Sequence, residues 1–306
     1  MTQLVLSTGN VMSTGPSIIR RPGAATRSNL ELVNSLRDAF IAAQQDYALQ
    51  ANGAANRISA LDIWTERTGN DELYIPKINW SGAGLRDDAS QYEITVKLFL
   101  LPDTPVQERE AYVTRALDLV RRELKIEKIH LLVVSFPGMS FEGDCEWEAD
   151  KLNAQQGSLD EEIATWAIFE KLHTSGLVER LGVSEFGSEK LDAFIRRTAV
   201  PPAVDQINLK NCCKVPPPLK QLAEKHGVEL NVHTDCTDIL PNGTLRELLG
   251  PSPAGAGVLA DTKAGADGLK GEVRPQWVAR YMAFVKDRGV IENKGYFAGA
   301  ELDATL

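Results

Sequence analysis

The run Ile129–Ser135 (IHLLVVS) is almost wholly apolar and too short for a buried helix. Such a run fits a strand covered on both faces, which is the mark of a parallel sheet flanked by helices. Its neighbours repeat the theme. Glu93–Leu100 (EITVKLFL) reads as a strand from its β-branched and apolar content. Pro105–Leu124 carries Val106, Val113, Ala116, Leu117, Val120 and Leu124 at helical spacing. A helix opens at Ser158, with Glu161 completing a capping box, and Gly176 stops it in the left-handed conformation. Strands follow at Leu181–Ser184, Ala203–Leu209 and Val228–Val232. Between and after them, helices are expected at Glu189–Arg197, at Pro216–Lys225 with proline at its start, and at Gln276–Lys286 ahead of Gly289. Leu30–Gln50 is a clear helix, whereas strands on either side of it are weakly marked.

Strict β/α alternation implies a parallel sheet with right-handed crossovers. With this many repeats the expected fold class is α/β, a (β/α)8 TIM-type barrel. A length of 306 residues suits one such domain over 1–306. An open Rossmann sheet would want G-x-G-x-x-G at its first turn, and Thr8-Gly9-Asn10 and Thr14-Gly15-Pro16 do not supply it. Two stretches read as flexible loops: Gly138–Gly157, and the Gly- and Ala-rich Gly250–Gly271.

The net charge of −9 disfavours nucleic acid and anionic membranes as partners, since both call for basic patches. No apolar run approaches the roughly 20 residues that cross a bilayer. Met1–Arg21 lacks a basic segment followed by a long apolar core, so the expected location is the cytoplasm, where cysteines are thiols. None of the four cysteines has C-x2-C spacing, so no metal is expected. Cys212 and Cys213 read either as small buried hydrophobes or as redox-sensing thiols.

Glu161–Phe186, ending in Gly182-Val183-Ser184-Glu185-Phe186, resembles the signature of the aldo-keto reductases, with Glu185 where that family has asparagine. Pro202–Gln206 (PAVDQ), Thr95–Phe99 (TVKLF) and Arg288–Lys294 (RGVIENK) resemble three further family blocks, in the right order over about two-thirds of the chain. The resemblance implies an aldo-keto reductase-like barrel and, in an active member, hydride transfer from NADPH. There a tyrosine donates the proton, a lysine paired to an aspartate lowers its pKa, and a histidine orients the carbonyl. Lys97 falls at the lysine position, and Ser135 replaces the histidine. Asp87–Tyr92 (DDASQY) imitates the aspartate–tyrosine string, yet lies too close to Lys97 to be it. Lys294 is the weak candidate for a cofactor phosphate, no arginine follows it, and Glu301 would repel a phosphate. No cofactor is therefore expected, although NADPH bound without turnover stays open.

A second resemblance accounts for these losses. Ser7–Asn10, Asp205–Leu209 followed by Asn211-Cys212-Cys213, Pro216-Pro217, His233–Asp235 and Asp287–Ile291 with Lys294–Tyr296 are similar to blocks of the modifier subunits of glutamate–cysteine ligase. That family implies a non-catalytic regulatory subunit in glutathione biosynthesis. It would form a heterodimer with the ligase catalytic subunit, improving glutamate affinity and relieving feedback by glutathione. The alternative is an active NADPH-dependent reductase of a small carbonyl. Trp277, Arg280, Tyr281, Tyr296 and Phe297 are residue types enriched in binding hot spots and are the candidates for partner contact; for the aromatics among them, packing against the barrel is the favoured reading. His233 is expected at a strand end in the barrel mouth, as a hydrogen-bonded structural residue or a remnant of a site.

Overall fold

In the computed structural model the described residues are 1–12, 28–51, 60–69, 71–209, 214–252, 255–260 and 268–303. The apolar run that opened the sequence reading is the second of five parallel strands: β4 (Tyr92–Leu100), β5 (Ile129–Ser135), β6 (Val178–Ser184), β7 (Val204–Asn208) and β8 (Glu229–His233). Helices α3 (Arg109–Leu124), α5 (Leu159–Thr174), α6 (Ser188–Ile195) and α7 (Pro217–His226) connect them in turn. The remaining elements are β1 (Thr2–Ser7), α1 (Ser28–Ala51), α2 (Ala60–Trp64), β2 (Glu66–Thr68), β3 (Glu72–Ile75), α4 (Glu146–Asn153), α8 (Thr244–Leu249), β9 (Glu272–Val285) and β10 (Val290–Asp303). All ten strands form one sheet in the order β2-β3-β1-β10-β9-β4-β5-β6-β7-β8.

Side chains alternate across this sheet, as strand geometry requires. On one face Ile94, Val96, Leu132, Val134 and Val183 pack under Val113, Leu117 and Val120 of α3, Trp166 and Phe169 of α5, and Phe194 of α6. Trp166 stacks on Phe169 and meets Phe194 edge-on, with centroids 5.8 and 5.1 Å away, while its indole N–H donates to the Val200 carbonyl at 2.8 Å. On the other face, Leu4, Leu6, Val278 and Tyr296 pack under Leu32, Leu36 and Phe40 of α1 and Leu245, Leu248 and Leu249 of α8.

The parallel half is curled. In the sheet order β8 lies four strands from β4, which in a flat sheet would separate them by about 19 Å. Yet Asp235, two residues past β8, makes an ion pair with Lys97 of β4 at 3.0 Å. The strand ends therefore close over a polar interior.

Several expectations need correction. Gln276–Lys286 is not a helix but the last part of β9 and the turn after it. Trp277 and Tyr281 suggested a helical period, but Trp277, Ala279, Tyr281, Ala283 and Val285 pack on one face, the two-residue period of a strand. Pairing with β4 on one side and β10 on the other satisfies its backbone. The β/α alternation thus ends at β8 and gives way to a long antiparallel hairpin. The Gly138–Gly157 stretch contains α4. The capping box is not formed: Ser158 is the N-cap but its side chain makes no capping bond, and Glu161 pairs with Arg109 at 3.2 Å. Gly176 does adopt φ +77° at the end of α5. Within Gly250–Gly271, residues 253–254 and 261–267 lie outside the described residues, and Leu259 bridges Leu269 with Val258 buried.

Gly295 shows how tightly the hairpin is packed. A Cβ there would overlap the Tyr281 hydroxyl and the Gly9 carbonyl oxygen. Gly295→Ala is expected to destabilise the chain by about 1–3 kcal/mol, the usual cost of overpacking, read as a lower urea midpoint with an unchanged slope.

Candidate functional site

Lys97 lies on the strand face shared with Phe99, pointing into the curled interior, and is 1% exposed. Its ammonium meets one carboxylate, Asp235 Oδ2, at 3.0 Å. The same carboxylate takes both Arg280 amino groups, Nη2 at 2.9 Å and Nη1 more closely still. Asn208 Nδ2 fixes the Asp235 backbone by donating to its carbonyl at 2.8 Å.

His233 closes the group from the end of β8. Its Nδ1 accepts the Asp235 backbone N–H at 3.0 Å, while Nε2 faces Glu185 Oε1 at 2.7 Å and the Gln206 carbonyl at 3.2 Å. A backbone N–H can only donate and a carbonyl can only accept, so the proton sits on Nε2. Glu185 is buried and holds φ +65°, an uncommon conformation for a side chain of its kind. The turn is clamped by α4, where Asn153 donates to the Glu185 carbonyl and accepts the Gly187 N–H, both at 2.6 Å. Asp150 receives the Ser188 N–H at 2.6 Å.

Burial and charge pull these groups in different directions. Burial pushes the Lys97 ammonium below the ordinary lysine range, with Asp235 opposing and Arg280 reinforcing the shift. Burial alone would raise the Asp235 carboxyl, but the charges of Lys97 and Arg280 outweigh it and hold the group well below the usual carboxylate range. Asp205, fully buried beside the Phe186 N–H and near Glu185, is pushed well up by desolvation.

Chemically, the described residues assemble the lysine–aspartate half of a reductase centre. Among the described residues no tyrosine hydroxyl hydrogen-bonds to Lys97. Tyr92 lies an odd number of residues away, on the opposite strand face, and its hydroxyl donates to Glu292. Tyr296 sends its hydroxyl to Glu31 at 3.0 Å. Ser135 is buried, in register with Phe99 beside Lys97, and offers a hydroxyl where an imidazole was expected. Lys294, the residue the sequence offered for the phosphate of a reductase nucleotide, is ion-paired to Glu31.

Of the two readings offered for the partner-contact candidates, the aromatics take the packing one. Trp277, Tyr281, Tyr296 and Phe297 are each at most 2% exposed, and Arg280 is spent on Asp235. The apolar alternation that drew attention to them is core packing. What the hairpin exposes is Phe284, Val290 and Ile291 near its tip. Cys212 and Cys213 lie outside the described residues. Sequence reasoning missed Asp235 and Arg280 as partners of Lys97; the available signal was His233-Thr234-Asp235, a polar cluster directly after a strand.

The curled parallel sheet with an inward lysine at β4 defines an α/β protein of the reductase type. The chain belongs to the aldo/keto reductase family, whose model matches residues 76–248. Among individual proteins, it is 26% identical to one from Schizosaccharomyces pombe over 96% of this chain and 94% of that one, provisionally named a glutamate–cysteine ligase regulatory subunit. It is also 26% identical to the glutamate–cysteine ligase regulatory subunit of Homo sapiens, over 70% of this chain and 68% of the human one. Among solved structures, the aldose reductase of Schistosoma japonicum aligns at 22% identity and a TM-score of 0.33, covering 51% of this chain and 48% of that one. No helix among the described residues is long and apolar enough to cross a membrane.

Two substitutions test the electrostatics. Asp235→Asn strands two buried cations and is expected to cost about 3–5 kcal/mol of stability at neutral pH. Because the folded carboxyl titrates below its unfolded value, its contribution is complete above about pH 4 and fades as pH falls through the folded value. Asp205 has the opposite sign: its contribution holds below about pH 4 and is lost as pH rises toward the folded value. Asp205→Asn should therefore match the parent in acid and exceed it at pH 8, in urea unfolding followed across pH.

Proposed function

We propose that this chain is a non-catalytic regulatory subunit that binds the catalytic subunit of glutamate–cysteine ligase, improving its affinity for glutamate and relieving inhibition by glutathione. The names of the relatives support the role. The observation that carries it is that, among the described residues, no tyrosine hydroxyl hydrogen-bonds to the Lys97 ammonium, while Arg280 joins Lys97 on Asp235. Carbonyl reduction leaves an alkoxide that must be protonated, and these groups offer no phenol to supply that proton.

Regulation by contact requires the chain to prefer the catalytic subunit's substrate-competent conformation over its inhibited one. A coupling of about 1–3 kcal/mol, or roughly 5–150-fold in affinity, suffices and must be reciprocal. Glutamate then tightens the heterodimer, and glutathione loosens it. The exposed Phe284, Val290 and Ile291 replace the buried aromatics as contact candidates on the same hairpin.

The lysine–aspartate pair also favours a second reading, NADPH-dependent reduction of a small carbonyl. Co-purification with a ligase catalytic subunit, followed by glutamate titration with and without this chain, separates the two. The regulatory reading expects a stable complex, a several-fold lower KM for glutamate and weaker inhibition by glutathione. Absence of a complex, together with NADPH oxidation in the presence of a simple aldehyde, overturns it. Phe284→Ser combined with Ile291→Ser is expected to weaken the complex at least tenfold while leaving the isolated chain's urea midpoint within experimental error.

A further inference from the structure

A cavity of about 450 Å³ opens at the C-terminal ends of the central strands, between the segment after β4, the segment before α8 and the start of β9. Its size falls in the range of small-molecule sites. Five carboxylates line it; Glu108 is engaged by the Tyr112 hydroxyl, and the other four, Asp103, Asp238, Glu272 and Glu301, have no ion-pair partner among the described residues. The one guanidinium in the lining, Arg274, is turned to Asp303 at 2.6 Å.

The inner wall carries an independent signal. Gln276 sits at a register shift in β9, between Pro275 opposite Ala300 and Trp277 opposite Gly299, and it is 5% exposed. Its amide nitrogen donates to the Tyr112 hydroxyl at 3.0 Å, and that hydroxyl donates onward to Glu108. This chain fixes the amide with its carbonyl oxygen turned away from Tyr112, and that oxygen is buried with no hydrogen-bond partner among the described residues. An acceptor left in this state calls for a donor. The excess of negative charge reaches the wall as well: burial, then Glu108 and Glu301, push the Tyr112 hydroxyl far above the ordinary tyrosine range.

We propose that this cavity binds an organic cation carrying alkylammonium groups. The class follows from the lining. Unpaired carboxylates spread around a cavity, with a buried acceptor at its wall, suit several N–H donors spaced along a flexible chain. They do not suit a metal ion: among the described residues no group of three or more His, Cys, Asp or Glu is arranged to hold one. The same chemistry is presented by a free polyamine and by lysine side chains of a bound peptide.

Calorimetric titration of the full chain at low ionic strength, with spermidine and separately with a blocked peptide containing two lysines, tests the site. At least one probe should bind at one equivalent. Asp238→Asn combined with Glu301→Gln should weaken binding tenfold or more. The charge-matched control Glu127→Gln with Glu189→Gln, two exposed residues elsewhere, should change it less than twofold, with unfolding midpoints recorded for both. Tighter binding of spermidine assigns a free polyamine, and tighter binding of the peptide assigns a protein side chain. Absence of binding by either probe, or equal weakening in both double variants, overturns the proposal. The measurement uses the chain alone, so its outcome is independent of any ligase partner.

Discussion

Two buried cations from neighbouring strands share one carboxylate that arrives from the far edge of the sheet. Lys97 and Arg280 are fixed in β4 and β9, whereas Asp235 is brought in only if the parallel strands curl. Desolvating three charges is expensive, and their mutual attraction offsets that cost only with close geometry and fixed neighbours. Asn208 and His233 supply that fixing by holding the Asp235 backbone from both sides. The curl, the closure of the strand ends and the burial of the polar interior thus depend on a single anion. A hydrophobic substitute could hold the strands together, but it would not set which strand end meets which.

The same interaction sets this site apart from the reductase centre that the sequence resemblance implied. A lysine activates a phenol by lending it positive charge in a dry site. Here Arg280 shares the Asp235 oxygens with Lys97, and among the described residues no phenol hydrogen-bonds to the ammonium. The tyrosines of the neighbourhood are bound to other carboxylates, Tyr92 to Glu292 and Tyr296 to Glu31. Glu185, where the family has asparagine, adds another negative charge and a hydrogen-bonded histidine at the mouth. Membership of the family is compatible with a site that shows no phenol at its lysine among the described residues, and contact with another protein is the reading proposed for it.

The sequence exposed the parallel half of the molecule clearly. Runs such as IHLLVVS have one physical solution, and the helices between them carry clean periodicity, so β4 to β8 and α3 to α7 were readable apart from α4. Helix α4 was hidden because its few apolar positions do not make a stripe; its buried face is polar, with Asp150 and Asn153 serving the Glu185 turn. The hairpin was misread because Trp277 and Tyr281 satisfy a four-residue spacing as well as a two-residue one. Lys97 could be found from its local string, but Asp235 and Arg280 could not, since tertiary curl and not spacing unites them.

The position of the β9–β10 hairpin has a consequence for biogenesis. It occupies the middle of the sheet, yet it follows every other strand of that sheet in sequence, and β1 and β4 both pair with it. While the polypeptide is still being made, those two early strands have no partner on that flank and present open edges of the kind that recruit other chains. The ten-stranded order is therefore complete only once β9 and β10 have joined it.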